Sequence, residues 1–532
     1  MRRTKTADRA GAWPAWAHNG PRRLVGIAVA IAVVAISTAC AAAAQVSHAK
    51  APSQGGTLSI ADPGAPPSLD PATNANNYRT YFDLTYDPLI VAAPNGSFQP
   101  GLALTWKYGD GNKTFSMTLR PGVRFSDGTS FNARAVKIWI YHELKTPGSL
   151  ASSVFANLKA IDVTSRLKVK FVFSAPEPDL DVDLSQVLEM GMVGGPKAVA
   201  AKTLATATDG AGEYELKKSA TITGDHYTLV PNPYYWNKSA IHWKKVVIDV
   251  ITNPTAAVQA LETGQDQVAD AQPVTSIKAA KSARLKFITP PTLIEGLTLS
   301  DRTGKLVPAL GNVEVRQALN YAVDRPALAK LVGAGYGVAI DQFGVPGDDS
   351  YDPALKNAYP YDPAKAKQLL AAAGYPKGFT FTLDTTSLVG ESTLAEAVQG
   401  ELASIGVTVN LDNPTVESEY SSKLATDPAA TIGWGRLPAF LDEQFLYGPG
   451  ATQWNPFKST SPQLTTLFSE LATASASRTA VYARKIQDFI SKNAWFVPIA
   501  STPLVYLYSR KVTGVVATSA RGTEYATEIK PA

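Results

Sequence analysis

The stretch GLALTWKYGDGNKTFSMTLRPGVRFSDGTSFNA (residues 101–133) holds two strand-like runs around a glycine-rich segment. In the second run Phe115, Met117 and Leu119 recur with a period of two, as in a strand that buries one face. The segment Gly109-Asp110-Gly111-Asn112 supplies residues that tolerate a positive φ, which a tight turn requires. The stretch therefore predicts two strands joined by a tight turn, in preference to a phosphate or calcium loop.

Strands and helices continue to mix on the C-terminal side of this stretch. Residues 246–251 form an almost continuous apolar run, consistent with a central strand buried on both faces, and residues 379–383 repeat the period of two. Apolar side chains within 315–322 fall on one face of a helix, and Asp362-Pro363 offers an N-cap and a first-turn proline. We therefore expect a mixed α/β body.

The length of the chain and the distribution of its charges limit the number of domains and the kinds of partner that we expect. A chain of 532 residues exceeds what one hydrophobic core usually supports, so two or more domains are expected. Residues 1–39 carry six of the 50 basic residues and one of the 45 acidic ones, which leaves 44 of each sign. The remaining chain is formally neutral and has no basic stripe, so we expect no nucleic-acid partner.

Cys40 is the one cysteine of the chain, and its surroundings indicate export. An apolar run over 24–36 follows Arg22-Arg23, and small residues lead to the cysteine. This order resembles a bacterial lipoprotein signal, although Ser37 stands where such signals favour leucine. We predict a signal peptide over 1–39, an acylated Cys40 that anchors the protein to the membrane, and a flexible tether over 40–54. The alternative is an uncleaved transmembrane anchor over 24–44.

Seven segments, in a fixed order between about residues 57 and 511, resemble the family-5 extracellular solute-binding proteins. These are the oligopeptide, dipeptide and nickel binders of ABC importers. One departure is Glu213, where the family usually places proline. The matching segments are 56–58, 68–71, 86–89, 101–133, 232–269, 315–328 and 359–379.

The resemblance implies an α/β, two-lobed fold of the periplasmic-binding-protein kind (type II, cluster C). The first lobe is expected over 55–288, with an extra subdomain near 98–212, and is completed by 498–532. The second lobe is expected over 289–497. A monomer would enclose its ligand between the lobes and deliver it to the permease subunits of an ABC importer, on the outer face of the cell membrane.

The residues themselves favour binding over catalysis. Only five histidines occur, none at metal-ligand spacing, and no hydrolase, zinc-protease or phosphate-loop motif is present. Asp179, Asp181 and Asp183 imitate the start of a calcium loop, but Leu184 and Met190 occupy the places that need glycine and glutamate. We expect a solvated acidic face there, no catalytic residues, no metal and no cofactor.

Two tryptophan segments are the leading candidates for ligand contact. In Gly433-Trp434-Gly435-Arg436, an indole and flanking glycines could meet a semi-polar ligand and its backbone, and the resemblance places ligand contacts at this Gly-Trp segment. Trp454 and Asn455 follow a glycine-rich loop and are candidates of the same kind, as are Asn77 and Tyr78. The alternative is that both tryptophans are core residues.

Arg436 raises the question of which ligand charge is recognised. In peptide binders of this family an aspartate closely follows the Gly-Trp segment and pairs with the α-amino group of the peptide. Here the next acids are Asp442 and Glu443. Arg436 offers a planar fork of donors suited to a carboxylate or phosphate. Our hypothesis is an anionic or neutral ligand group at Arg436; the alternative is that Asp442 or Glu443 takes the role of the aspartate.

The expected function is a substrate-binding lipoprotein of an ABC importer that captures a small polar solute, above all a short peptide. Two alternatives remain open. The ligand could be a nickel chelate, haem, a sugar or a signalling peptide. A cell-envelope regulatory or assembly protein could also keep the binding fold without transport.

Overall fold

A computed structural model describes residues 55–73, 78–386, 391–414, 417–448, 451, 454–475, 477–517 and 526–532. The predicted signal peptide, Cys40, the tether and the alternative anchor over 24–44 lie outside these residues. Among the residues described, no helix is both long and apolar enough to cross a membrane.

A seven-stranded mixed sheet forms the base of the first lobe. Its strand Trp243–Val250 pairs on both sides, in parallel with Gly55–Asp62 and antiparallel to His226–Pro231. The predicted central strand is therefore confirmed, although Val247 and Asp249 on its second face are only half-buried. In spatial order the strands are Lys286–Ile288, Val505–Tyr508, Val268–Gln272, Gly55–Asp62, Trp243–Val250, His226–Pro231 and Tyr214–Leu216.

A four-stranded antiparallel sheet completes the first lobe and contains the two strands predicted within residues 101–133. Its strands, in spatial order, are Ala103–Gly109, Thr114–Leu119, Lys168–Phe173 and Leu158–Ser165. The predicted tight turn is present, because Asp110, Gly111 and Asn112 adopt φ values of 51°, 56° and 64°. The helix Ala133–Glu143 starts at Asn132, whose side chain accepts two backbone N–H bonds.

A six-stranded mixed sheet forms the second lobe. The predicted helix starts are confirmed nearby: the Asp362 side chain caps Pro363–Ala372 by accepting a bond from Lys365 N at 2.8 Å. The predicted apolar face of 315–322 is buried in the core of this lobe. In spatial order the strands are Val338–Ala339, Phe496–Pro503, Pro291–Thr298, Ala430–Gly435, Thr380–Asp384 and Thr408–Asp412.

The chain crosses between the lobes twice. It leaves the first lobe after Lys286–Ile288 and returns between Phe496–Pro503, in the six-stranded sheet, and Val505–Tyr508, in the seven-stranded one. The return therefore falls at Leu504, six residues beyond the start predicted for the final first-lobe segment.

Helices cover the sheets of both lobes, and two small two-stranded sheets pair Ile90–Ala92 with Phe98–Pro100 and Val512–Thr513 with Lys530–Pro531. The described α-helices are Arg79–Asp83, Ala133–Glu143, Ala151–Val154, Leu180–Asp183, Pro196–Ala201, Pro254–Thr263, Ser276–Ser282, Val313–Tyr321, Arg325–Val332, Pro363–Ala372, Ser392–Ala403, Glu417–Leu424, Ala439–Asp442, Pro462–Ala472 and Thr479–Lys492.

Candidate functional site

A cavity of about 520 Å³ lies between the two lobes. Its first-lobe wall comes from residues 92–96 and Phe98, together with Val182 and Val187. Its second-lobe wall comes mainly from 346–349 and 436–438. The volume falls in the range of about 300–1,000 Å³ that is typical of small-ligand sites. Of the predicted site residues that the structure describes, only Arg436 lines this cavity.

Arg436 is already paired within the second lobe. Its Nη2 contacts Asp348 Oδ1, and its Nε donates to Asp348 Oδ2 at 3.2 Å. Nη1 donates to the carbonyl of Pro291 at 3.2 Å. With only 9% of its surface exposed, Arg436 needs this partner, because a buried charge without one is costly. Recognition of an anionic ligand group by Arg436, which stays a prediction, would require this ion pair to open.

Trp434 lies where the two lobes meet. The strand Ala430–Gly435 carries it to a position where its ring packs against both the first-lobe core and the second-lobe core. Its Nε1 donates to Asp442 Oδ1 at 2.9 Å. Trp454 approaches its ring edge-on, with centroids 6.3 Å apart. Trp434 therefore supports the contact between the lobes and does not line the described cavity.

The two glycines beside Trp434 differ in their surroundings. A Cβ added at Gly433 would stand 2.7 Å from Glu391 Oε1, so this glycine makes room for a protein carboxylate. Burial raises the pKa of Glu391 to about 7, against the lowering effect of hydroxyl groups from Thr431 and Tyr420. Gly435 ends the strand opposite Leu293. The sequence did not indicate Glu391, which lies over 40 residues away.

Asn455 has a structural role. Its side chain is completely buried, its Oδ1 accepts bonds from Arg302 and from the N–H of Ser459, and its Nδ2 donates to three carbonyls. These carbonyls belong to Tyr447, Gly448 and Ser459. Because the hydrogen-bonding atoms of Asn455 are engaged inside the protein, we correct its expected ligand contact to a role in holding this turn.

Tyr78 belongs to the first-lobe core at the seven-stranded sheet. Its ring meets that of Tyr81 edge-on, with centroids 6.5 Å apart, and it packs closely over Gly64. Tyr78 does not line the described cavity. Asn77 lies outside the described residues, so its expected ligand contact stays a prediction.

Carboxyl groups gather where the lobes meet beside the cavity. Three buried oxygens have no hydrogen-bond partner in the described structure, namely Asp179 Oδ2, Asp183 Oδ1 and Glu443 Oε2. Burial is the main cause that raises the pKa of Glu443 to about 8 and of Glu177 to about 7. Gln444 Nε2 from the second lobe donates to Glu177 Oε2 at 3.3 Å.

The same physical cause acts on the first-lobe acids. Burial raises the pKa of Asp179 well above its ordinary value, and nearby Asp181, Asp349 and Asp442 raise it further. Burial likewise raises the pKa of Asp183, with Asp179 as the next cause. None of the described salt bridges includes Asp179, Asp183 or Glu443. This part of the lobe contact therefore has an excess of carboxyl groups over cationic side chains in the described structure, and burial favours their neutral, protonated form while no cation is present.

The expected solvated acidic face over 179–183 is wrong for Asp183, which is 2% exposed. The short helix Leu180–Asp183 packs Leu180 and Val182 into the first-lobe core, and this brings Asp183 inward. The signal was present in the sequence as carboxylates that alternate with apolar residues.

Comparison with known proteins identifies the family. Residues 97–455 match the model of the bacterial extracellular solute-binding proteins, family 5. The glutathione-binding protein GsiB of Pectobacterium atrosepticum is 27% identical over 484 residues, which cover 86% of this chain and 90% of that protein. GsiB of Salmonella typhimurium is 27% identical over 436 residues, with 78% and 82% covered.

Solved structures share the fold at low identity. The periplasmic binding protein DppA of Helicobacter pylori, in complex with the peptide STSA, has a TM-score of 0.75 and 22% identity, and covers 90% of this chain and 98% of its own. NikA of Brucella suis, in complex with Fe(III)-EDTA, has a TM-score of 0.77 and 19% identity, with 90% and 100% covered. With two thirds of the chain matching the family model and two lobes around a cavity, this protein belongs to the family-5 bacterial extracellular solute-binding proteins.

Proposed function

We propose that this protein captures a small, positively charged, peptide-like solute between its lobes and delivers it to the permease of an ABC importer. The observation that carries the proposal is the cavity with walls from both lobes, beside carboxyl groups that have no cationic partner in the described structure. A solute held by both walls would favour the closed form, and this change of shape would report occupancy to a permease.

The proposed charge of the ligand follows from which ionisable groups near the cavity already have a partner of opposite charge. Arg436 is neutralised by Asp348, so the described second-lobe wall offers little positive charge. Asp179 and Asp183 lack such a partner, and a buried carboxylate without one is costly. An ammonium or guanidinium group on the ligand would supply both the charge and the N–H donors. A peptide with a lysine or arginine side chain has this chemistry.

The relatives support a peptide-like solute. GsiB is named for glutathione, a peptide, and DppA was solved with the peptide STSA. A dipeptide-binding protein of the same fold was solved with Met-Leu. The fold also holds chelated metals, as in the complex with Ni(L-His), so a chelate is the alternative solute. An envelope protein that keeps the fold without transport is the alternative from another class.

Two measurements on the full chain, purified in detergent, test the proposal. Mass spectrometry identifies any solute that co-purifies. Calorimetric titration with Ala-Lys-Ala, Ala-Ala-Ala and Ala-Glu-Ala, which differ only in the central side chain, then measures the preference for charge. We expect binding to weaken in that order, by about tenfold or more between the first and the last, the size of one charge-assisted hydrogen bond. Tightest binding of Ala-Glu-Ala, or no binding of any peptide, would contradict it.

We also propose that the chain is a monomer, held outside the cell membrane by an acylated Cys40 and a tether over 40–54. Substitution Cys40→Ala should release the protein from the membrane fraction or leave an unprocessed precursor; unchanged fractionation would favour the alternative anchor. For the lobes we propose 55–288, with the family-specific subdomain near 98–212, and a second lobe from 289 as predicted. The crossing at Leu504 favours an end of the second lobe at 503 in place of 497, and a start of the final first-lobe segment at 504 in place of 498.

A further inference from the structure

A second group of carboxylates lies inside the second lobe. Asp384, Asp412 and Asp427 each place one carboxylate oxygen within 4.8 Å of the others. Two of these residues end neighbouring parallel strands, and Asp384 stands directly opposite Asp412 in the strand register. Asp427 lies in the loop that leads into the strand Ala430–Gly435. Like charges placed opposite each other in a sheet are destabilising, so this arrangement requires compensation.

The compensation visible in the described structure is incomplete. Lys423 Nζ contacts Asp412 Oδ2, and Asp427 Oδ1 accepts a bond from Thr426 Oγ1 at 3.2 Å. Asp384 is completely buried, and neither of its carboxylate oxygens has a hydrogen-bond partner. One lysine, Lys423, therefore accompanies three carboxylates. The buried carboxylate of Asp384, which lies within 4.8 Å of the other two, has no hydrogen-bond partner for either oxygen.

We propose that Asp384, Asp412 and Asp427 bind a calcium ion. Calcium takes six to eight oxygen ligands at about 2.3–2.6 Å, so two ligands on opposite sides of the ion stand about 4.6–5.2 Å apart. Carboxylate oxygens that all lie within 4.8 Å of one another are close enough to share one such ion. Magnesium, with ligands at about 2.0–2.1 Å, demands a tighter and more regular arrangement. Waters complete the coordination.

The ion would fasten three segments that converge below the Gly-Trp segment. Asp384 N already donates to Ala429 O at 3.0 Å, and Thr385 N donates to Asp412 O at 2.8 Å. The strand that starts at Ala430 carries Trp434 to the contact between the lobes. A calcium ion at its base would hold this strand in place.

The test is thermal unfolding and calorimetry of the full chain, first treated with a chelator and then titrated with CaCl2 to 10 mM. We expect a saturable rise in Tm of about 2–6 °C, since a ligand that binds only the folded state stabilises it by mass action. Asp384→Asn and the partly exposed Asp412→Asn should each weaken calcium binding at least tenfold. Asp384→Asn should also raise the Tm of the chelated protein, because it removes an unpaired buried charge.

Asp266→Asn is the matched control. Asp266 is also completely buried with both oxygens unpaired, but it faces a single carboxylate, that of Asp249. Its substitution should leave the calcium response unchanged.

The competing explanation is that Lys423 and a proton shared between Asp384 and Asp427 suffice. Removal of that lysine by Lys423→Met should preserve or strengthen calcium binding if the ion site exists. Three results overturn the proposal: no calcium response in the parent protein, a response unchanged in both aspartate variants, or loss of the response in Lys423→Met.

Discussion

The ionisable groups on the two sides of the lobe contact, at the cavity and beside it, differ in whether they have a partner. On the second-lobe wall, Arg436 and Asp348 neutralise each other, with two nitrogen atoms of the guanidinium on the carboxylate. On the first-lobe side, Asp179 and Asp183 have oxygens without a partner, and burial raises the pKa of both. The first arrangement is complete without a ligand and the second is not. This difference supports our proposal that the first lobe selects the charge of the ligand.

The largest effect on ligand affinity is expected from replacing the first-lobe carboxyl groups that have oxygens without a partner. The double substitution Asp179→Asn with Asp183→Asn should weaken the binding of Ala-Lys-Ala about 30-fold or more in calorimetric titration, because a charge-assisted hydrogen bond contributes about 1.5–3 kcal/mol. Binding of Ala-Ala-Ala should change much less. Asp162→Asn, on an exposed strand position, is the control. Equal losses for both peptides would show that the substitutions disturb the fold and not the charge.

A smaller effect is expected where the lobes meet. Trp434→Phe keeps an aromatic ring but removes the N–H that bonds Asp442 Oδ1. Loss of this bond to a buried carboxylate is expected to cost about 1–1.4 kcal/mol, so affinity should fall about five- to tenfold, equally for all three peptides. Small-angle scattering with saturating Ala-Lys-Ala should show less compaction than in the parent. A loss confined to the charged peptide would place Trp434 in charge recognition.

Arg436→Gln tests the second-lobe wall, where Arg436 and Asp348 are paired. It should strengthen the binding of a cationic peptide slightly, whereas the substitutions above weaken binding. It frees the carboxylate of Asp348 and adds negative charge to the wall. Binding of Ala-Lys-Ala should strengthen about threefold, as expected for a partly screened charge, and binding of Ala-Glu-Ala should weaken. Adding Asp348→Asn should cancel the gain. If Arg436 recognises an anionic ligand group, the single variant instead loses binding of its ligand at least tenfold.

The smallest effect concerns pH. Glu443 has a pKa of about 8 in the folded protein and about 4.3 when unfolded, so the folded state binds more protons between these values. Stability of the ligand-free protein is then greatest below pH 4.3, as far as this group is concerned, and falls as pH rises toward 8. Glu443→Gln should flatten the dependence of Tm on pH between 5 and 8 and raise Tm at pH 8 by about 2–4 °C. A slope identical to that of the parent would assign the dependence to other groups.

Local structure was largely readable from the sequence. The turn over 109–112, the helix start at Asp362 and the apolar face of 315–322 depend on neighbouring residues, and all three are confirmed. The pairing of Arg436 was not readable, because its partner Asp348 is 88 residues away. For Asn455, the position after a glycine-rich loop predicted ligand contact. Tertiary packing instead buries its side chain inside the protein.

The sequence alone determined the family, the mixed α/β body and the elements of both lobes, since periodicity, caps and turns act over a few residues. Only the tertiary structure decided which ionisable side chains have a hydrogen-bond or ion-pair partner and which do not. Burial and pairing depend on segments that are distant along the chain, such as Glu177 with Glu443, or Asp384 with Asp427. The sequence does not distinguish an aspartate or glutamate whose carboxylate lies in water from one whose carboxylate lies between two lobes. The two differ in the free-energy cost of desolvating the carboxylate, which is set by the fold around it.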